Sequence, residues 1–147
     1  MIRDNELIFC GTKASGAAAT VGMDVSASGA NNATYDIDTL AAGDSMKSGA
    51  VLHVIATELC AGVGTTLTIT LVTDDNAEFS SATTLISSGA IAKASTAAGT
   101  VLLQQVIPVG VQRYLRLIGT TDGEFATSGA IAAWIDLNQE VGLDKQY

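Results

Sequence analysis

Residues Thr65 to Ile91 read TTLTITLVTDDNAEFSSATTLISSGAI, and this stretch decides the fold. Its first half alternates, with Leu67, Ile69 and Leu71 on one side and Thr66, Thr68 and Thr70 on the other. A period of two in aliphatic and β-branched residues puts one set of side chains on a buried face and the other in water, the pattern of a half-buried strand. Asp74, Asp75 and Asn76 interrupt it. Their short polar side chains accept hydrogen bonds from nearby backbone amides and tolerate turn geometry. A second strand is expected from Thr83 to Ser87, ended by Gly89. A continuous Leu/Ile face needs a second sheet to cover it, and the rest of the chain must supply one.

Working outward toward the N-terminus, Ala50 to Leu59 (AVLHVIATEL) is nearly all apolar. That fits a central strand covered on both faces; a short buried helix is the alternative, and the β-branched Val51, Val54, Ile55 and Thr57 favour the strand. Ala33 to Leu40 (ATYDIDTL) alternates Tyr35 and Ile37 against Asp36 and Asp38, and Glu6 to Cys10 (ELIFC) reads as the first strand. Between them, Gly11 to Asn32 is rich in Gly, Ala, Ser and Thr, broken by Val21-Gly22-Met23-Asp24-Val25. With so few large side chains it is expected as an extended arm, or a long loop containing one weak strand, that orders along a neighbour.

Toward the C-terminus, Val101 to Val109 (VLLQQVIPV) is a strand carrying the only proline, Pro108, which marks a strand end or an edge because it cannot donate to the ladder. Arg113 to Thr120 sets Tyr114, Arg116 and Ile118 against Leu115 and Leu117, and Ala130 to Leu137 (AIAAWIDL) is the last strand before a polar tail, 138–147. The pattern is about eight short strands separated by turns, hence an all-β sandwich or jelly roll. The expected core is Leu67, Ile69, Leu71, Leu115, Leu117, Ile131 and Ile135. Ser-Gly-Ala recurs at Ser48, Ser88 and Ser128, but also at Ser15 and Ser28, off that spacing, so it is recurrent turn chemistry rather than a propeller repeat.

The chain has 147 residues, the usual size of one domain. Charged residues are only 15% and aromatics 5%, leaving a bland surface of Ser, Thr, Gly and Ala suited to packing against other protein. Net charge is −8 and the seven basic residues are scattered, which argues against direct nucleic-acid binding. No apolar run is long enough to span a membrane. Met1 to Glu6 carries acids where a signal peptide has bases, so the protein is expected to be made in the cytoplasm and not exported by that route. Cys10 and Cys60 are expected as free buried thiols, with a disulfide between them as the alternative.

Candidate chemistry is thin. His53 is the only histidine and lies inside an apolar run, a poor place for a general base, and one histidine is too few for a zinc site. Gly62-Val63-Gly64 lacks the lysine and the following helix of a phosphate loop. Asp74, Asn76 and Glu78 have the spacing of calcium-loop ligands, but Phe79 and Leu85 stand where that loop needs glycine and a carboxylate, so a capped turn is expected. Arg113, Tyr114 and Arg116 form the most basic patch, suited to a partner's carboxylates or to plain solvation.

Leu71 to Leu85 (LVTDDNAEFSSATTL), then Ser88-Gly89-Ala90-Ile91, Arg113-Tyr114-Leu115-Arg116-Leu117 and a closing Gly129-Ala130 strand resemble the capsid cement (decoration) proteins of tailed bacteriophages. The resemblance runs from Thr34 to Leu137. It implies a jelly-roll fold and a non-enzymatic virion protein on the outer face of the head, commonly a homodimer, that bridges major capsid protein subunits. It implies no catalytic, metal or cofactor residues. Expected capsid or subunit contacts are Arg113, Tyr114 and Arg116, with Val21 and Met23 in the arm and Leu143 and Tyr147 in the tail. The alternative is a carbohydrate-binding or host-adhesion sandwich. It would gather aromatics on loops, whereas Trp134 and Tyr114 fall within strands. A cupin-type enzyme would need several histidines.

Overall fold

The computed structural model describes residues 7–10, 23–25, 28–33, 35–40, 49–123 and 128–137. Among them the strands in chain order are β1 (Ile8–Cys10), β2 (Met23–Asp24), β3 (Gly29–Asn32), β4 (Ile37–Asp38), β5 (Ala50–Ala61), β6 (Thr66–Asp74), β7 (Thr83–Ala92), β8 (Val101–Val106), β9 (Tyr114–Thr121) and β10 (Ser128–Leu137). One short 3-10 turn (Lys93–Ser95) links β7 to β8.

Two antiparallel sheets form. In the first, β10 lies between β5 and an edge shared by β1 and β2, and β8 flanks β5 on the other side. In the second, β9 lies between β6 and an edge shared by β3 and β4, and β7 flanks β6. Taking β1 with β2 and β3 with β4 as interrupted strands, the chain crosses between sheets at every connection except the β6–β7 hairpin. This double-sheet winding is the jelly roll that the strand rhythm and the resemblance led us to expect.

The alternation read from Thr66 onward is realised in the core. Leu67, Ile69 and Leu71 are wholly buried on β6, opposite Thr121, Gly119 and Leu117 of β9. Leu115 and Leu117 on β9, Ile131 and Ile135 on β10, and Leu52 and Val54 on β5 complete the layer between the sheets. All seven residues expected in the core are there. Gly119 is the close approach that locks the N-terminal strands in place. A Cβ on it would sit 2.8 Å from Met23 Cε and 2.9 Å from Val25 Cγ1, so only glycine admits those side chains beneath β9.

Three expectations change. Within 11–32, expected as an arm or as a loop with one weak strand, the described residues include two paired strands, β2 and β3, and Met23 and Val25 are buried in the core. Local composition there announces one weak strand at most, and pairing with β10 and β9 orders both β2 and β3. Gly89 does not end its strand: β7 continues to Ala92 through a bulge at Ser88–Gly89, where Gly89 has φ +67° and the Ser88 hydroxyl accepts the Ile69 amide at 2.9 Å. A glycine that adopts the left-handed region can bend a strand without breaking it. β5 is central, as expected, but buried on one face only; Val51, His53, Ile55 and Thr57 are half-buried on the other. Pro108 follows the end of β8, as a proline that cannot join the ladder should.

Candidate functional site

The two motifs that carry the resemblance meet on the outer face of the β6–β9 sheet. Alternation along β9 turns Leu115 and Leu117 inward and Tyr114, Arg116 and Ile118 outward. Asp36 and Asp38, bracketing Ile37 on the neighbouring edge, come within reach. Arg113 Nε and Nη2 donate to the two carboxylate oxygens of Asp38 at 2.9 and 3.0 Å. Arg116 grips Asp36 in the same two-pronged way, at 2.9 and 2.7 Å. Such paired bonds match the planar fork of guanidinium to the carboxylate and fix orientation as well as distance.

The same Arg116 guanidinium lies 4.1 Å from the centroid of the Phe79 ring, and Arg113 lies 5.0 Å from that of Tyr114. Phe79 stands in the turn after β6 with φ +52°, a conformation that bulky side chains rarely adopt. Its amide donates to Asn76 O at 3.0 Å, and its ring covers Arg116. Arg116 thereby ties the 74–81 turn to β9 and, through Asp36, to the sheet's far edge.

Asp74 organises that turn. Its carboxylate accepts the amides of Ser81 at 2.8 Å and Asn76 at 3.1 Å, and the Ser81 hydroxyl at 3.3 Å. Burial alone would raise its pKa, but those hydrogen bonds outweigh it and hold the carboxyl below the usual range. Asn76 repeats the device one turn on, accepting the Glu78 amide at 3.0 Å. The Asp-Asp-Asn run is therefore a capped turn, as its failed calcium-loop spacing led us to expect. Asp122 does similar work at the opposite end of β6. It accepts the Thr65 hydroxyl and the Thr65 and Thr66 amides at 2.8 and 3.0 Å, which hold its carboxyl well below the usual range. Asp38 is also held low, first by its bond from Arg113 and then by the Leu40 amide.

The outcome is a face whose most conspicuous charges cancel in pairs. Each guanidinium keeps further N–H groups beyond the two that its aspartate accepts. Among the described residues, no three His, Cys, Asp or Glu side chains are grouped so as to hold a metal ion.

The other candidate contact residues divide. Tyr114 is half-buried on the outer face. Met23 is 2% exposed and packs in the core, so its side chain is not on the surface that a capsid would touch. Val21, Leu143 and Tyr147 lie outside the described residues. Trp134 is 6% exposed and stacks on His53, ring centroids 5.4 Å apart and planes 7° from parallel, so it offers no flat platform to a sugar. Cys10 and Cys60 are free and buried. Burial pushes the Cys10 thiol up to about 11, and the Cys60 thiol is raised for the same reason.

Sequence reading missed Asp36, Asp38 and Phe79 as parts of this site. The signal was faint. The aspartates alternate as i and i+2, but the arginines are three apart, which no regular strand pairing would match.

No curated protein matches this chain. A family model does: that of Bbp16, over residues 14–135, which takes in the Asp-Asp-Asn turn, the Arg-Tyr-Leu-Arg-Leu strand and the arginine–aspartate clamps. With so much of the chain matched, this all-β sandwich belongs to the Bbp16 family, a family with a phage-related name.

Proposed function

We propose that this protein is a non-enzymatic capsid cement protein. It binds the outer surface of a phage head and stabilises the contacts between major capsid protein subunits. The observation that carries the reading is membership of a phage-related family whose match takes in both motifs of the resemblance. The site chemistry is in keeping with it. The motif residues build a face on which both arginines are paired with aspartates.

The physics of the role is simple. DNA packed in the head presses outward, and a protein bound across a seam between subunits opposes opening by the surface it buries there. A jelly roll with few charges and many Ser, Thr and Ala side chains can be buried at low desolvation cost. Residues 11–22 and 138–147, with the half-exposed Tyr114 and Arg113, are the candidate contacts. The protein would be made in the host bacterial cytoplasm and reside on the virion.

The test mixes purified protein with expanded empty heads that lack it. Co-sedimentation with the heads, and a rise in the temperature at which they break, are expected. Failure to bind, or binding that leaves the breakage temperature unchanged, removes the cement role.

A further inference from the structure

Among the described residues, two other than glycine have a positive φ, Leu40 and Phe79. Phe79 has a use for its side chain within the fold, because its ring covers Arg116. Leu40, at φ +60°, gains no such contact: it is 81% exposed, just beyond the end of β4. The left-handed region crowds Cβ against the backbone, and a bulky side chain suffers there more than asparagine or aspartate. Exposure withholds the burial that would offset this cost.

The conformation is pinned from both sides. The Leu40 amide donates to Asp38 Oδ1 at 2.8 Å. The Thr39 amide and hydroxyl donate to Arg113 O at 2.8 and 2.9 Å. Asp38 is in turn fixed by the two-pronged grip of the Arg113 guanidinium. One residue, Arg113, thus holds the 38–40 corner twice, by its backbone carbonyl and by its side chain. A locally disfavoured conformation persists only where its surroundings over-determine it, and such residues gather where a protein meets a ligand.

The chemistry of the corner suits an apolar, uncharged pocket. Asp38, to which the Leu40 amide is bonded, is already paired with Arg113, so covering Leu40 strands no lone carboxylate. A second apolar side chain stands at the same end of the sandwich. Val109 is 79% exposed on the connection between β8 and β9 that leads into Arg113.

We propose that Leu40 is an apolar anchor displayed to a partner, and that Arg113 is the residue that positions it. The inference rests on the cement role proposed above: the partner is the major capsid protein of the assembled head, and Leu40 enters an apolar pocket on it. Arg113, a candidate contact by sequence, then acts through Leu40. The backbone cost at Leu40 is met in the free chain and repaid only when the side chain is buried against the partner.

The test compares binding to expanded empty heads with the melting temperature of the free protein, both in the full chain. Leu40→Asn and Leu40→Gly introduce residues suited to the left-handed region. Both are expected to keep or raise the melting temperature, yet to weaken head binding about tenfold or more. A side chain that served the fold would lower both measurements together. Arg113→Lys retains the charge but loses the two-pronged grip. It is expected to weaken binding when made alone and to weaken it no further when combined with Leu40→Asn, the signature of a residue that acts through another. Leu40 variants that bind as tightly as the unsubstituted chain, or that melt well below it, would each overturn the anchor. Losses from Arg113→Lys and Leu40→Asn that simply add would overturn the positioning. If the unsubstituted chain itself fails to bind heads, the cement role falls and the anchor with it; if that chain and its Leu40 variants bind alike, the anchor alone falls.

Discussion

At the scale of single residues, carboxylates hold the structure at both ends of β6. Asp74 caps the turn that follows the strand and Asp122 gathers the amides that precede it. Asp122, Asp74 and Asp38 all have folded pKa values below the ordinary one. A group depressed on folding contributes stability that is full above its unfolded pKa, about 3.9 for aspartate, and lost as pH falls toward the folded value. Thermal unfolding is thus expected to be insensitive to these three groups from neutral pH down to about pH 5, then to weaken steeply in more acid solution. Asp122→Asn should lower the melting temperature at neutral pH and flatten that acid limb, as read from melts across the pH range. An unaltered acid limb would show that Asp122 is not held as described.

At the scale of elements, β6 shows what alternation decides. Its inward Leu71 is wholly buried between Leu117 of β9 and Ile86 of β7, while Thr70 faces outward on the same strand. Leu71→Ala removes buried surface and leaves a cavity, and is expected to cost about 2–5 kcal/mol. Thr70→Ala, one residue away, is expected to stay within about 0.5 kcal/mol of the unsubstituted protein. Denaturant titration of the two variants measures the contrast, and equal effects would mean that the faces are misassigned. β7 shows the limit of the same reading. Gly89 looks like a terminator because glycine weakens a strand, yet with Ser88 replacing a ladder bond the strand continues beyond it.

At the scale of the whole molecule, the described residues near the N-terminus belong to the sandwich. Phe9 and Cys10 enter the core from β1, Met23 and Val25 from beside β10, and β3 lines the edge of β9. Were 11–32 only an arm or loop, removing residues 1–32 would leave the sandwich folded; the strands observed there argue the opposite. That deletion uncovers Leu67 and Gly119 beneath Met23 and Val25 and removes paired strands from an edge of each sheet. Loss of the cooperative thermal transition is expected, and a deletion product with the circular dichroism and melting of the full chain would contradict the placement of β1 to β3.

The sequence alone determined the strand rhythm, the jelly-roll class, the seven core residues and the capped turn after β6. All follow from short-range patterns: alternation marks a buried face within one strand, and Asp or Asn marks a turn through its own neighbours. Both resemblance motifs were legible too, and with them the phage connection that the family's name shares. Only the tertiary structure decided which strands pair. A Gly/Ala/Ser-rich segment has little preference of its own, so β2 and β3 exist because β10 and β9 offer them partners. The clamps of Arg113 on Asp38 and Arg116 on Asp36 join residues far apart in the chain, and their spacing matches no single periodicity. Whether β8 lies inside a sheet or at its rim is likewise a property of strand order. That order is fixed by how the two sheets close over one core, which no local stretch of the chain encodes.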